Sequence, residues 1–165
     1  MRNILLTIKY LGTAYSGWQV QANAPSVQQT LQDSIEKLFC VRENIVGCSR
    51  TDAGVHAMCF CATVQKRGES SLQTNIPCDK IPYALNFRLP ADISVYYASW
   101  VDDDFHARYS VVSKTYEYHI LNTRFKDPFF VNRAYHYSKM LTDFEKLTDS
   151  VNKTVVGFSR QSENK

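Results

Sequence analysis

The sequence predicts an α+β fold: an antiparallel sheet with its helices on one face, formed by a ferredoxin-like split βαβ first half in the order β-α-β-β-α-β, with an incomplete second half after it. Three observations carry this expectation. Apolar residues alternate with a period of two in several short runs, they recur every three or four residues in the segments between, and the runs follow one another in that order.

Ile4, Leu6 and Ile8 alternate with Leu5, Thr7 and Lys9, the pattern of a strand. A loop with Gly12 and Gly17 follows. Ser26 can then cap a helix in which Val27, Leu31, Ile35 and Leu38 recur at spacings of four, four and three. Two further apolar runs, Val41 to Cys48 and Ala57 to Val64, flank the polar, glycine-bearing stretch Ser49 to His56 and read as two strands joined by a loop. Asp79 is placed to cap a short second helix through Tyr83, Ala84 and Phe87, and Asp92 to Trp100 returns to a β-rich composition. The first half, with the loop, therefore occupies residues 1–101. A second α+β half is expected over residues 102–157, because Lys114 to Leu121 alternates and Ala134 to Tyr137 reads as a shorter strand. Thr142-Asp143-Phe144-Glu145 has capping-box spacing ahead of Leu147, Val151 and Val155. Residues 158–165 form a polar tail without apolar periodicity, so this half has too few strands to close a core of its own.

The chain of 165 residues is 44% hydrophobic and 21% charged, which is enough apolar content for a core and excludes disorder as the default state. A net charge of +3 and a pI near 8.6 permit a nucleic-acid partner without requiring one. Ten Tyr, nine Phe and two Trp lean the same way, since aromatic faces stack on unpaired bases, although core packing accounts for most of them. Cys40, Cys48, Cys59, Cys61 and Cys78 form no CxxC pair, which argues against both a disulfide framework and a zinc site. Free thiols suit a reducing compartment. The run Ile4-Leu5-Leu6 meets Lys9 too soon for a signal-peptide core or a membrane span, so a cytoplasmic protein without a membrane partner is expected.

Ser49-Arg50-Thr51-Asp52-Ala53-Gly54-Val55-His56-Ala57 is the segment with chemical potential. Asp52 lies among small residues, with Arg50 two positions before and Gly54 two after. Ala53 and Gly54 leave room for a planar ligand, and Arg50 can hold a phosphate or brace the carboxylate. The plainer reading is an Asp that caps a turn before the next strand, and for an isolated Thr-Asp-Ala-Gly that reading is the stronger. His56 reads as a hydrogen-bonded structural residue, and Asp102-Asp103-Asp104 as solvent-facing carboxylates, not a metal site. A hydrolase built on Asp52 would need a second carboxylate or an activated nucleophile at a defined spacing, and none is evident.

Taken with other segments, the loop closely resembles the TruA-type tRNA pseudouridine synthase family. The matching pieces are Lys9 to Gln19, Ser26-Val27-Gln28, Arg50 to Ala57, Asp103 to Ser110, Lys114-Thr115-Tyr116-Glu117-Tyr118 and Asp127-Pro128-Phe129. They follow the family's order and extend to about residue 157. The resemblance implies a reaction without cofactor or metal, in which the uracil of a tRNA uridine is detached from its ribose, turned, and rejoined through carbon. It implies the tRNA anticodon stem-loop as substrate and a homodimer whose shared basic cleft receives the tRNA. By the same resemblance Asp52 is the catalytic carboxylate, attacking either the base or the sugar. Arg50 helps take the base out of the stack and fills its place, and Tyr116 lies on the extruded uracil. Tyr118 points to the same side of the strand as Tyr116, and only the resemblance ranks Tyr116 first. His106 and Arg108 contact RNA or fix their own loop. Tyr15, Trp18 and Gln19 either contact RNA or pack the loop after the first strand.

The pattern also departs from the family. Relatives continue for roughly a hundred residues, about a small domain, with an aliphatic-His-His-Met-x-Arg segment whose Arg pairs with the catalytic Asp; this sequence has no counterpart. After Val155-Val156-Gly157 the family has a Thr-His-Asp-Phe-like strand, whereas Phe158-Ser159-Arg160 leads into the polar tail, which reads as foreign to the fold. Met58-Cys59-Phe60 replaces a small residue followed by Gly-Gln. A carboxylate without its Arg is poorly positioned, so the 165-residue chain alone is expected to turn over slowly or not at all. An inactive or weakly active RNA-binding fragment is the alternative expectation, and a poorly folded remnant with exposed apolar surface a third.

Overall fold

The computed structural model describes residues 2–65 and 74–142, in two compact units, Met1–Val111 and Val112–Lys165. The first unit contains β1 (Arg2–Tyr10), α1 (Val27–Phe39), β2 (Asn44–Gly47), β3 (Ala57–Gln65), α2 (Ile81–Asn86) and β4 (Ile93–Asp102). Its sheet has the order β2-β3-β1-β4, and every neighbouring pair is antiparallel. This is the α+β architecture expected from the sequence.

Register decides which side chains form the core. Ile4 lies opposite Val64 and Trp100, Leu6 opposite Ala62 and Ala98, and Ile8 opposite Phe60 and Val95. Because side chains alternate along a strand, these residues share one face. Val27, Leu31 and Ile35 of α1 and Ile81 and Leu85 of α2 complete the same buried cluster. Full burial of each Ile or Leu contributes roughly 1.5–3 kcal/mol relative to exposure.

α1 begins where expected. Ser26 is extended and its hydroxyl accepts the Gln29 N–H at 3.2 Å. The helix ends at Cys40, which takes the left-handed conformation usually left to glycine (φ 59°). α2 starts differently from expectation. Asp79 sits inside a short 3-10 turn, Cys78–Lys80, and caps nothing, while Pro82 stands in the first helical turn, where a missing N–H costs no hydrogen bond. At the other end of α2, the Asn86 side chain donates to the Val95 carbonyl (2.7 Å) and accepts the Val95 N–H (2.8 Å), fastening the helix to β4.

The second unit is described by two-residue strands, β5 (Ile120–Leu121) and β6 (Tyr135–His136), paired in parallel. The expected strand Lys114 to Leu121 is thus present only at its end. Residues 112–120 are exposed on both alternating faces, so the alternation has no surface to bury against among the described residues. The capping-box helix after Thr142 and the polar tail lie outside the described residues. No described helix is long and apolar enough to cross a membrane, and all five cysteines are free.

Candidate active site

β2 and β3 are joined by the segment 48–56 at the end of the sheet where β1 finishes with Tyr10. This loop is held by the chain that follows β1. The Trp18 N–H donates to the Thr51 carbonyl (3.0 Å), and the Tyr10 hydroxyl lies 2.9 Å from Thr51 Oγ1. Beyond the aspartate, the Gly54 N–H donates to the Tyr15 carbonyl (3.2 Å) and the Gly12 N–H to His56 Nδ1 (2.8 Å). Asp52 is therefore braced one residue before and two residues after itself. Its own carbonyl accepts the Val55 N–H at 3.2 Å, closing the turn.

Close approach explains two glycines. A Cβ on Gly12 would lie 2.0 Å from the Val55 carbonyl oxygen, and one on Gly17 would lie 2.4 Å from that of Thr51. Gly17 also has φ +93°, which a side chain would strain. Gly54, at φ +80°, has open space where its side chain would be.

The bracing groups are themselves buried and satisfied. Burial pushes the Tyr10 phenol up to about 12, against the lowering effect of the Thr51 hydrogen bond. The Tyr15 hydroxyl donates to Asp92 Oδ1 at 2.8 Å, and burial, with that carboxylate as the second cause, pushes it to about 12 as well. Asp92 also accepts the Leu11 N–H at its carbonyl (2.8 Å), tying the start of β4 to the same bracing segment. Trp18 is buried, with its ring 4.2 Å from that of Phe60.

Asp52 and Arg50 are both exposed on this loop, and among the described residues neither side chain makes a hydrogen bond or ion pair. His56 has the structural role read from the sequence: an Nδ1 that accepts from Gly12 places the proton of the neutral ring on Nε2. Tyr15 and Trp18 pack the loop, whereas Gln19 is exposed. His106 turns back on its own segment, stacking on Tyr109 (4.3 Å) and accepting the Arg108 N–H at Nδ1 (3.2 Å). Arg108 is exposed. Both follow the end of β4 that pairs with Arg2, the opposite end of the sheet from the loop, and no hydrogen bond among the described residues joins them to it. Tyr116 belongs to the second unit and is 54% exposed. Among the described residues no group of three or more His, Cys, Asp or Glu could hold a metal ion.

Tyr10, Thr51 and Asp92 are the functional-loop partners that the sequence reading missed. Their partners stand 41 and 77 residues away along the chain, and no local pattern marks such a pair.

The first unit is thus an antiparallel α+β sheet that presents an exposed carboxylate on a braced interstrand loop. Residues 6–110 match the family described as tRNA pseudouridine synthase, and the chain belongs to that family. It is 46% identical over 138 residues to tRNA pseudouridine synthase A of Thermoanaerobacter sp. (strain X514), covering 84% of this chain and 54% of the relative. It is 45% identical over 137 residues to the protein of that name from Caldicellulosiruptor saccharolyticus, with 83% and 54% covered. With that of Aquifex aeolicus it shares 40% over 129 residues, with 78% and 51% covered. The chain spans about half the length of the curated relatives it matches.

Proposed function

We propose that this chain is a tRNA pseudouridine synthase acting on uridine in the anticodon stem-loop, with Asp52 as the catalytic carboxylate. The observation that carries the reading is the position of Asp52: exposed, flanked by open space at Gly54, and braced on both sides within the family-matching region. The isomerisation needs a nucleophile that holds one fragment while uracil turns, and a fixed carboxylate can form and release such a bond. Arg50, two residues before it, fills the space left by the extruded base, and Tyr116 supplies the aromatic face against uracil. His106 and Arg108 contribute RNA contacts remote from the reacting atoms. The working assembly is a homodimer in the cytoplasm, and no cofactor or metal enters the reaction.

Incubating the chain with unmodified tRNA and mapping pseudouridine by chemical adduct and primer extension tests the proposal. The expected result is product from the wild type at a rate well below that of a relative of full length, and none from Asp52→Asn or Asp52→Ala, with tRNA affinity retained in both variants. Equal product from Asp52→Asn would overturn the assignment of Asp52. Salt-dependent tRNA binding by the wild type without product would replace the isomerase reading with RNA binding alone.

A further inference from the structure

The sheet face turned away from the helices carries an arrangement that the catalytic proposal does not use. Along β4 the core-facing positions run Ile93, Val95 and then Ala98, so the alternation slips by one. The register shows why: Thr7 lies opposite Tyr97 and Ile8 opposite Val95, leaving Tyr96 as the extra residue of a bulge. Tyr96 and Tyr97 consequently both avoid the core and stay exposed, at 45% and 54%. Lys9, on the alternate face of β1, places Nζ 4.7 Å from the centre of the Tyr96 ring, and no carboxylate among the described residues pairs with it. Burial first, and the neighbouring Cys59 thiol of β3 second, push the Tyr96 phenol up to about 12. Lys9 directly precedes Tyr10, which braces Thr51, so this cluster lies at the same end of the sheet as Asp52.

We propose that Lys9, Tyr96 and Tyr97 form a nucleotide platform beside the Asp52 loop, with an unpaired base stacking on Tyr96 and a neighbouring phosphate held by Lys9. The inference rests on the tRNA reading above and adds to it where the strand flanking the target uridine lies. A cation over an exposed ring is held weakly and can leave at small cost. A phosphate gives Lys9 a stronger partner, and the ring face it leaves is open to a base, for which stacking is insensitive to sequence. The bulge supplies what a regular strand could not, two consecutive aromatic side chains on one face.

Binding of fluorescein-labelled unmodified tRNA to the full chain, followed by anisotropy across a salt series, tests the platform. Lys9→Ala is expected to weaken binding and to reduce the slope of log affinity against log salt by about 0.7–0.9, one phosphate contact. Tyr96→Ala is expected to weaken binding about tenfold with the slope unchanged, and Tyr96→Phe, which keeps the ring face, to bind like wild type. An unchanged slope and affinity in Lys9→Ala, or Tyr96→Phe as weak as Tyr96→Ala, overturns the platform. Thermal transitions of the variants, all at exposed side chains, check that the fold is kept. Product formation by a wild type whose Lys9→Ala and Tyr96→Ala variants bind normally sinks this inference alone. Platform-dependent binding without product supports it and removes the isomerase reading, whereas a wild type that binds no tRNA removes both.

Discussion

Thr51 is more firmly fixed than the aspartate it precedes, since both its carbonyl and its hydroxyl are engaged while the Asp52 carboxylate faces solvent. The role proposed for Asp52 needs an accessible carboxylate on a backbone that does not wander, and placing the anchors on the neighbours satisfies both needs. Gly17→Ala tests the anchor directly. Its Cβ would press on the Thr51 carbonyl oxygen in a left-handed backbone conformation, so a loss of about 2–3 kcal/mol in denaturant unfolding is expected. Under the proposed function, any turnover of tRNA should fall with it. Tyr10 makes a prediction about alkaline pH. Its folded pKa of about 12 lies above the ordinary 10, so the fold favours the neutral phenol; that stability is complete below pH 10 and is lost as pH rises through 12. The preference corresponds to about 3 kcal/mol. Tyr10→Phe should therefore lose less stability than wild type between pH 10 and 12. Ultraviolet titration of the wild type should show its most reluctant phenols ionising together with unfolding.

At the level of elements, α1 starts from one side-chain cap, Ser26, beside the Val27 and Gln28 N–H groups that donate to the Gly17 and Trp18 carbonyls. Ser26→Ala removes the acceptor for the Gln29 N–H and should cost about 1 kcal/mol. For a unit of this size that lowers the melting temperature by about 4–8 °C, readable by circular dichroism. The same helix shows what was legible in the sequence. Its cap, apolar spacing and buried face all follow from local pattern, as do the alternation of β1 and the polar loop bearing Asp52 and Gly54. Local pattern failed where geometry depends on distant chain. Asp79 is of the right type to cap a helix, yet the chain enters α2 through a 3-10 turn and Pro82. Lys114 to His119 alternates, but alternation stabilises a strand only when a partner and a buried face exist, and the described residues offer neither beyond Ile120 and Leu121. The brace of the loop was invisible for the same reason, because Gly12 meets His56 across 44 residues.

Over the whole molecule, stability is unevenly distributed. The buried apolar cluster belongs to the first unit, and no described residue of the second unit is buried. Amide exchange should therefore be slow in β1, β3 and α1 and close to unprotected rates in residues 112–142. A fragment ending at Val111 should keep a single cooperative thermal transition. The position of Trp18 takes this further. Its backbone N–H holds Thr51 while its indole lies on Phe60 and against Gly47, so the loop's anchor and the core are one piece of packing. The loop is thus no lid; it opens when the unit opens. The molecule accordingly carries its own optical gauge: with Trp100→Phe in place, emission from Trp18 should redden in denaturant at the same midpoint as the loss of helix signal. Coincidence of the two would mean that any lesion in the core, however far from Asp52, reaches that carboxylate through the unfolding equilibrium itself.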